Sequence, residues 1–155
     1  MAGYIGEFPC TVDNKGRFLL PMGLKKQIPA KEQRYFVVNR GFEKHLVLFT
    51  KKEWEAISDK VNAKNIFIKK NRDFIRKFNN GATPLELDAS NRLLLPKSLL
   101  DYAGIEKDMV IFAYGNRIEL WSQKAYDAFI NADSSDMADL AEAVMGKKEE
   151  EDELS

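Results

Sequence analysis

Residues 6–24, GEFPCTVDNKGRFLLPMGL, return as residues 81–99, GATPLELDASNRLLLPKSL, at a fixed offset of 75 with eight of nineteen positions identical. Ordinary composition would give about one or two. The identities are Gly6/Gly81, Pro9/Pro84, Asp13/Asp88, Arg17/Arg92, Leu19/Leu94, Leu20/Leu95, Pro21/Pro96 and Leu24/Leu99. The echo resumes after a loop that is shorter in the second copy. There LVLFTKKEW (46–54) faces IELWSQKAY (118–126), pairing Phe49 with Trp121, Thr50 with Ser122, Lys52 with Lys124 and Trp54 with Tyr126. Such a repeat decides the architecture before any local propensity does: the chain is two copies of one unit of about 50 residues. Its 155 residues leave room for one ordinary domain or two very small ones.

Each copy reads mostly as β. Cys10–Asp13, Arg17–Leu20, Tyr35–Asn39 and Leu46–Phe49 are short, rich in β-branched and aromatic residues, and separated by turn signals. Leu85–Asp88, Arg92–Leu95, Val110–Ala113 and Ile118–Trp121 follow in the same order. A short helix started by proline is expected after the second strand of each copy, over Pro21–Gln27 and Pro96–Tyr102. Thr50 and Ser122 stand where an N-cap belongs, ahead of closing helices at Lys51 and Gln123. The expected class is mainly β with short helices (α+β).

The expected segments are a first repeat over 4–62, a connecting basic helix over 63–80, a second repeat over 81–131 and an acidic extension over 132–155. In the connector, Lys64–Lys77 interleaves basic residues with Ile66, Phe67, Phe74, Ile75 and, just beyond, Phe78. It looks like a recognition helix, but a solvated face with these apolar residues packed inward is the favoured reading. Ser135–Met145 is expected to form an amphipathic helix with Met137, Leu140, Ala141 and Val144 on one face, before a frayed charge run. Phe49, Trp54, Trp121 and Tyr126 are expected in the core, His45 at the surface or in a turn, and Cys10 buried.

The formal net charge of zero hides a division. Lys and Arg outnumber Asp and Glu by 17 to 8 over residues 1–80, whereas acids lead by 16 to 7 over 81–155. Asp133–Ser155 alone carries nine carboxylates against two lysines, and the rest of the chain is +7. A sequence pI near 6.6 therefore averages a basic body with an acidic tail and leaves a nucleic-acid partner open.

The most specific feature is the hairpin DNKGR, repeated as DASNR. Asp13 and Asp88 can accept from backbone N–H groups two residues on, which starts a turn. Gly16 and Asn91 align, and these residue types best tolerate the left-handed conformation that a short loop needs. Arg17 and Arg92 then leave the tip. A carboxylate four residues back can hold a guanidinium in one orientation, so that less rotamer entropy is lost when it meets a phosphate or a guanine edge. Spacing alone leaves a purely structural Asp–Arg pair equally open. The two roles are compatible, with aspartate holding and arginine reaching.

On these residues the chain resembles the MraZ family of bacterial transcriptional regulators, which carry two SpoVT–AbrB-like domains. The shared features are the N-terminal GEF, the paired DxxxR hairpins followed by strand and proline, VVNRGFEKHLVLFTKKEW, and YAGIEKDMVIFAYGNRIELW. They span about Tyr4 to Ile130. The resemblance implies swapped-hairpin, β-barrel-like units that form a pseudo-dimer within the chain. It also implies a ring-shaped homo-oligomer that binds short tandem repeats of double-stranded DNA in the promoter of the division and cell-wall gene cluster, generally as a repressor. Arg17 and Arg92 match the family's DNA-contacting arginines, and Asp13 and Asp88 its motif aspartates. Lys15 joins them on charge grounds; its counterpart Ser90 can only hydrogen-bond, so the first hairpin is expected to contribute more affinity. The tail lies outside the matching region, and a solvated tail is the leading reading of it.

Other classes find little support. The longest apolar runs, such as Val110–Tyr114, fall far short of the roughly 18 residues of a membrane span. Met1–Cys10 has neither the basic nor the apolar part of a secretory signal, so a cytoplasmic protein is expected, and the resemblance implies that it is nucleoid-associated. One histidine and one cysteine make a zinc site implausible. No nucleophile triad, P-loop, GxGxxG or HExxH is present, so no enzyme, cofactor, metal or small-molecule substrate is expected. The alternative is an AbrB-like scaffold that binds proteins without specific DNA binding, leaving the arginines paired and using an apolar patch.

Overall fold

The β-branched and aromatic runs do become strands, but the partners they find lie in the other repeat. The structure, a computed structural model, describes residues 3–132 and 136–146. The first repeat supplies β1 (Tyr4–Thr11), β2 (Arg17–Leu19), β3 (Tyr35–Arg40) and β4 (Leu46–Thr50). The second supplies β5 (Thr83–Glu86), β6 (Arg92–Leu94), β7 (Asp108–Gly115) and β8 (Arg117–Ser122). Each pair β3/β4 and β7/β8 is a local antiparallel hairpin. The first strands trade places: β1 pairs with β7, and β5 pairs with β3. A six-stranded sheet results, ordered β1-β7-β8-β4-β3-β5. It reads the same from either end once repeat equivalents are matched, and it runs from β1 to β5 without closing into a barrel.

The second strands form their own two-stranded ribbon, β2 against β6, with Phe18 opposite Leu93 at its centre. Phe18 and Leu93 are repeat equivalents, so the pseudo-twofold axis passes between them. Both are buried, and with Leu20, Leu95, Phe36 and Met109 they belong to one apolar core between the ribbon and one sheet face. Class and exchange thus agree with expectation: mainly antiparallel sheet with short helices, built from two interlocked copies.

Helix boundaries follow local chemistry. Helix α1 (Met22–Lys25) and α4 (Lys97–Ala103) start later than expected, because Pro21 and Pro96 occupy the N-cap in extended conformation. Helix α2 (Lys51–Asn62) opens on a capping box: Thr50 Oγ1 accepts from Glu53 N at 3.2 Å, and the Glu53 carboxylate accepts from Thr50 N at 2.9 Å. In the other repeat Ser122 Oγ accepts from Ala125 N at 3.0 Å, which caps α5 (Gln123–Asn131).

The connector departs from its expected packing. Helix α3 spans Lys69–Asn79, since the Asn65 side chain accepts from Phe67 N at 2.9 Å and holds a turn there first. Ile66 and Phe67 consequently lie before the helix and remain exposed, at 57% and 88%. Phe74 is 44% exposed, whereas Phe78 stacks on Trp54 at 5.6 Å, and Trp54 meets Phe49 edge-on at 5.4 Å. Trp54 and Phe49 are half-buried, and Trp121 and Tyr126 are buried, in line with their expected packing roles.

His45 corrects the expectation of a surface residue. It does end the bend before β4, yet it is buried, stacked on Trp121 at 4.5 Å, with Nε2 3.4 Å from Glu119 Oε2. The cross-repeat pairing of β4 with β8 draws it in, a contact that spacing does not reveal. Glu119 is itself buried and accepts from Tyr114 Oη at 2.9 Å, Arg117 Nε at 3.0 Å and Trp121 Nε1 at 3.0 Å. Burial raises its pKa, but His45, Trp121 and Tyr114 more than offset this and hold it at about 2. Cys10 is partly buried rather than fully so, and burial pushes its thiol up to about 11, in keeping with an inert packing role.

The chain divides into two compact units, Met1–Ala125 and Tyr126–Ser155. In the second, α6 (Met137–Ala141) is capped by Asp136, whose carboxylate accepts from Asp139 N at 2.8 Å, and a π-helical turn (Glu142–Gly146) follows. Met137, Leu140 and Val144 are exposed there. The charge run expected over 147–155 lies outside the described residues. No helix among those described is long and apolar enough to cross a membrane.

Phe18→Ala opens a cavity on the pseudo-dyad and should cost about 3–5 kcal/mol in urea unfolding. A loss under about 1 kcal/mol would mean that the ribbon does not organise the core.

Candidate nucleic-acid interface

The two hairpin tips repeat each other atom for atom. Asp13 Oδ1 accepts from Lys15 N and Arg17 N, both at 2.9 Å, and Oδ2 accepts from Arg17 Nε at 2.9 Å. Asp88 Oδ1 accepts from Ser90 N and Arg92 N, both at 2.8 Å, and Oδ2 from Arg92 Nε at 3.1 Å. Gly16 (φ 90°) and Asn91 (φ 62°) take the left-handed conformation expected of them. Gly16 also passes close to the other repeat: a Cβ there would stand 2.7 Å from the Leu95 carbonyl oxygen.

Aspartate therefore does two things. It closes the tip through backbone N–H groups, and it grips the arginine side-on through Nε. Among the described residues the Nη groups of Arg17 and Arg92 have no hydrogen-bond partner, which leaves both terminal nitrogens of each fork able to donate to a ligand. The side chains are about one third exposed, 31% and 35%.

Pairing then brings the two forks together. In the ribbon Arg17 lies opposite Leu94 and Arg92 opposite Leu19. Phe18 and Leu93 point into the core, so the alternation of a strand turns Arg17, Leu19, Arg92 and Leu94 to the other face. The arginines occupy one diagonal of this four-residue face, where neighbours stand about 7–8 Å apart and their Cβ atoms somewhat less. The leucines occupy the other, 57% and 52% exposed.

Charge around the tips comes from both repeats. Lys15 lines one cleft with Lys97, which belongs to the second repeat. Lys25, from the first, donates from Nζ to Asn91 Oδ1 at 2.6 Å and steadies the second tip. Lys25 and Lys97 escape sequence reasoning because their neighbours lie far along the chain. Leu19 and Leu94 did carry a signal, since identity at an outward strand position is not needed by the core. The basic helix α3 packs with α2 against the sheet face turned away from the ribbon, so it is not part of this cluster. No group of three or more His, Cys, Asp or Glu side chains among the described residues is placed to hold a metal ion.

Both motif carboxyls are held below their ordinary pKa. The Arg17 and Arg92 backbone N–H groups lower them most, against some desolvation, with help from Lys15 and Ser90 N–H and the guanidinium groups. A depressed folded-state pKa contributes stability that is complete above the ordinary value, about pH 4, and is lost as pH falls through the folded value. Carboxyl 13C titration should give midpoints for Asp13 and Asp88 below that of a free aspartate, with the Arg17 and Arg92 Nε–H resonances moving in step. Midpoints at the ordinary value would mean that the grip is absent in solution.

A family model described as "MraZ protein, putative antitoxin-like" matches residues 4–77 and again 78–147. Curated relatives named "Transcriptional regulator MraZ" are similar over nearly the whole chain. One from Flavobacterium psychrophilum is 44% identical over 92% of this chain and 91% of its own. One from Christiangramia forsetii is 43% identical over 94% and 95%. One from Cytophaga hutchinsonii is 40% identical over 97% and 100%. A doubled family match over two interlocked units that present twin DxxxR tips has one reading: this chain belongs to the MraZ family.

Proposed function

We propose that this protein is a DNA-binding transcriptional regulator that acts by binding rather than catalysis. It reads short tandem repeats in the promoter of the division and cell-wall gene cluster, as a repressor, from the cytoplasmic nucleoid. The observation that carries the reading is the pair of guanidinium forks on one ribbon face, each held at Nε by the aspartate of its own tip, which leaves the Nη groups to bind a ligand. A two-stranded β-ribbon fits the major groove, where an arginine fork matches O6 and N7 of guanine. The relatives' shared name supports regulation of transcription.

The roles divide by chemistry. Arg17 and Arg92 contact DNA. Lys15 adds phosphate neutralisation at the first tip. Asp13, Asp88, Gly16 and Asn91 build the tips that aim the arginines. A ring of copies engages several repeats at once, so modest single contacts become strong overall binding.

Fluorescence anisotropy tests this on two labelled duplexes at two salt concentrations, one with the tandem repeats upstream of the protein's own gene and one with the same bases scrambled. The repeats should bind more tightly, and the preference should survive added salt. Arg17→Ala should weaken specific binding by about 1–3 kcal/mol and Arg92→Ala somewhat less, with the oligomer intact. Equal, salt-labile binding to both duplexes would reduce the site to a basic surface. Absence of binding to either would favour the scaffold.

A further inference from the structure

We infer that Leu19 and Leu94 are specificity residues that read the 5-methyl groups of thymine, between and beside the two arginines. This rests on the DNA-binding reading above and assigns that face a second chemistry. The leucines are repeat equivalents, identical in both copies. They are also more than half exposed, each directly across the ribbon from an arginine. A core role does not explain them, because their neighbours Phe18, Leu20, Leu93 and Leu95 fill the core from the opposite side of the strands. A polar side chain would serve solubility better at such a position.

The charge around the leucines selects their occupant. Arg17 and Arg92 share the face, each bound to its tip aspartate through Nε alone, and Lys15 and Lys97 flank Leu94, with Glu86 in the same cleft and Asp101 3.6 Å from Lys97. A second copy docked on this face would set these cations against their own equivalents. The Nη groups of both arginines and Lys15 suit a polyanion instead, so the apolar pair meets apolar groups carried by a polyanion. The major groove of DNA offers one such group, the thymine methyl. Opposite positions on a ribbon are about 4.5–5.5 Å apart, close enough for an arginine and its facing leucine to meet neighbouring base pairs.

The test replaces every thymine of the repeat duplex with deoxyuridine, which removes the methyl and leaves base pairing and charge alone. Affinity is compared for wild type, Leu19→Ala/Leu94→Ala and Arg17→Ala. Wild type should lose about fourfold per methyl contacted, the worth of one buried methyl-sized group. The double-leucine variant should bind thymine and deoxyuridine duplexes alike. It should also melt and assemble as wild type does, since both side chains are exposed. Wild type that prefers the repeats over the scrambled duplex but ignores the deoxyuridine exchange would overturn the leucine assignment and leave the arginine reading standing. Loss of any preference for the repeats would overturn the arginine reading, and this one with it. A deoxyuridine penalty of equal size in wild type and the double-leucine variant would place the methyl contact elsewhere and also overturn the proposal.

Discussion

Exchange of first strands between the repeats is the constraint on which the rest of this molecule depends. Without it, β3/β4 and β7/β8, joined only through β4 and β8, would leave the outer edges of β3 and β7 open. With it, each hairpin gains a third strand from the other copy, and β4 pairing with β8 joins the two sets into one sheet. The same exchange brings β2 and β6 together around Phe18 and Leu93. Neither repeat can build the arginine-bearing ribbon alone, so the interface is a property of the pair of copies.

Symmetry is kept where geometry demands it and dropped where packing permits. The tips keep it: two aspartates and two arginines make the same hydrogen bonds around a left-handed residue in each turn. The sheet seam drops it. Val47 and Glu119 are repeat equivalents and face each other across β4 and β8. One is apolar, while the other is a buried carboxylate served by Tyr114, Arg117 and Trp121 with His45 close by. A buried carboxylate needs those partners, because removing one leaves it desolvated and underpaired. The seam therefore fixes which copy occupies which side, a distinction that the symmetric ribbon does not make.

The tips show how a short motif can aim a long side chain. Arginine has many rotamers, and confining them on binding costs affinity. Here Asp13 and Asp88 confine them beforehand by holding Nε, a bond that leaves the Nη atoms unused by the tip. The carboxylate is itself held by backbone N–H groups of the turn it closes. On the proposed reading, fold and recognition share one set of bonds: what makes the turn stable also holds the guanidinium.

Much of this is legible in the chain as text. The repeat and the order of strands show by comparing the chain with itself, and the left-handed Gly16 and Asn91, the Thr50 and Ser122 caps and the Asp–Arg grips rest on contacts within about four residues. Such interactions are encoded where they occur. Placement of His45 beside Glu119, of Lys25 on Asn91 and of Lys97 beside Lys15 was not legible, because each contact joins residues from different repeats. Nor was the outward turn of Leu19 and Leu94 beside the arginines, which depends on the face that β2 and β6 bury when they pair. Local hydrogen-bond chemistry writes the parts into the sequence. Strand exchange, which satisfies backbone and core over long separations, settles where the parts meet.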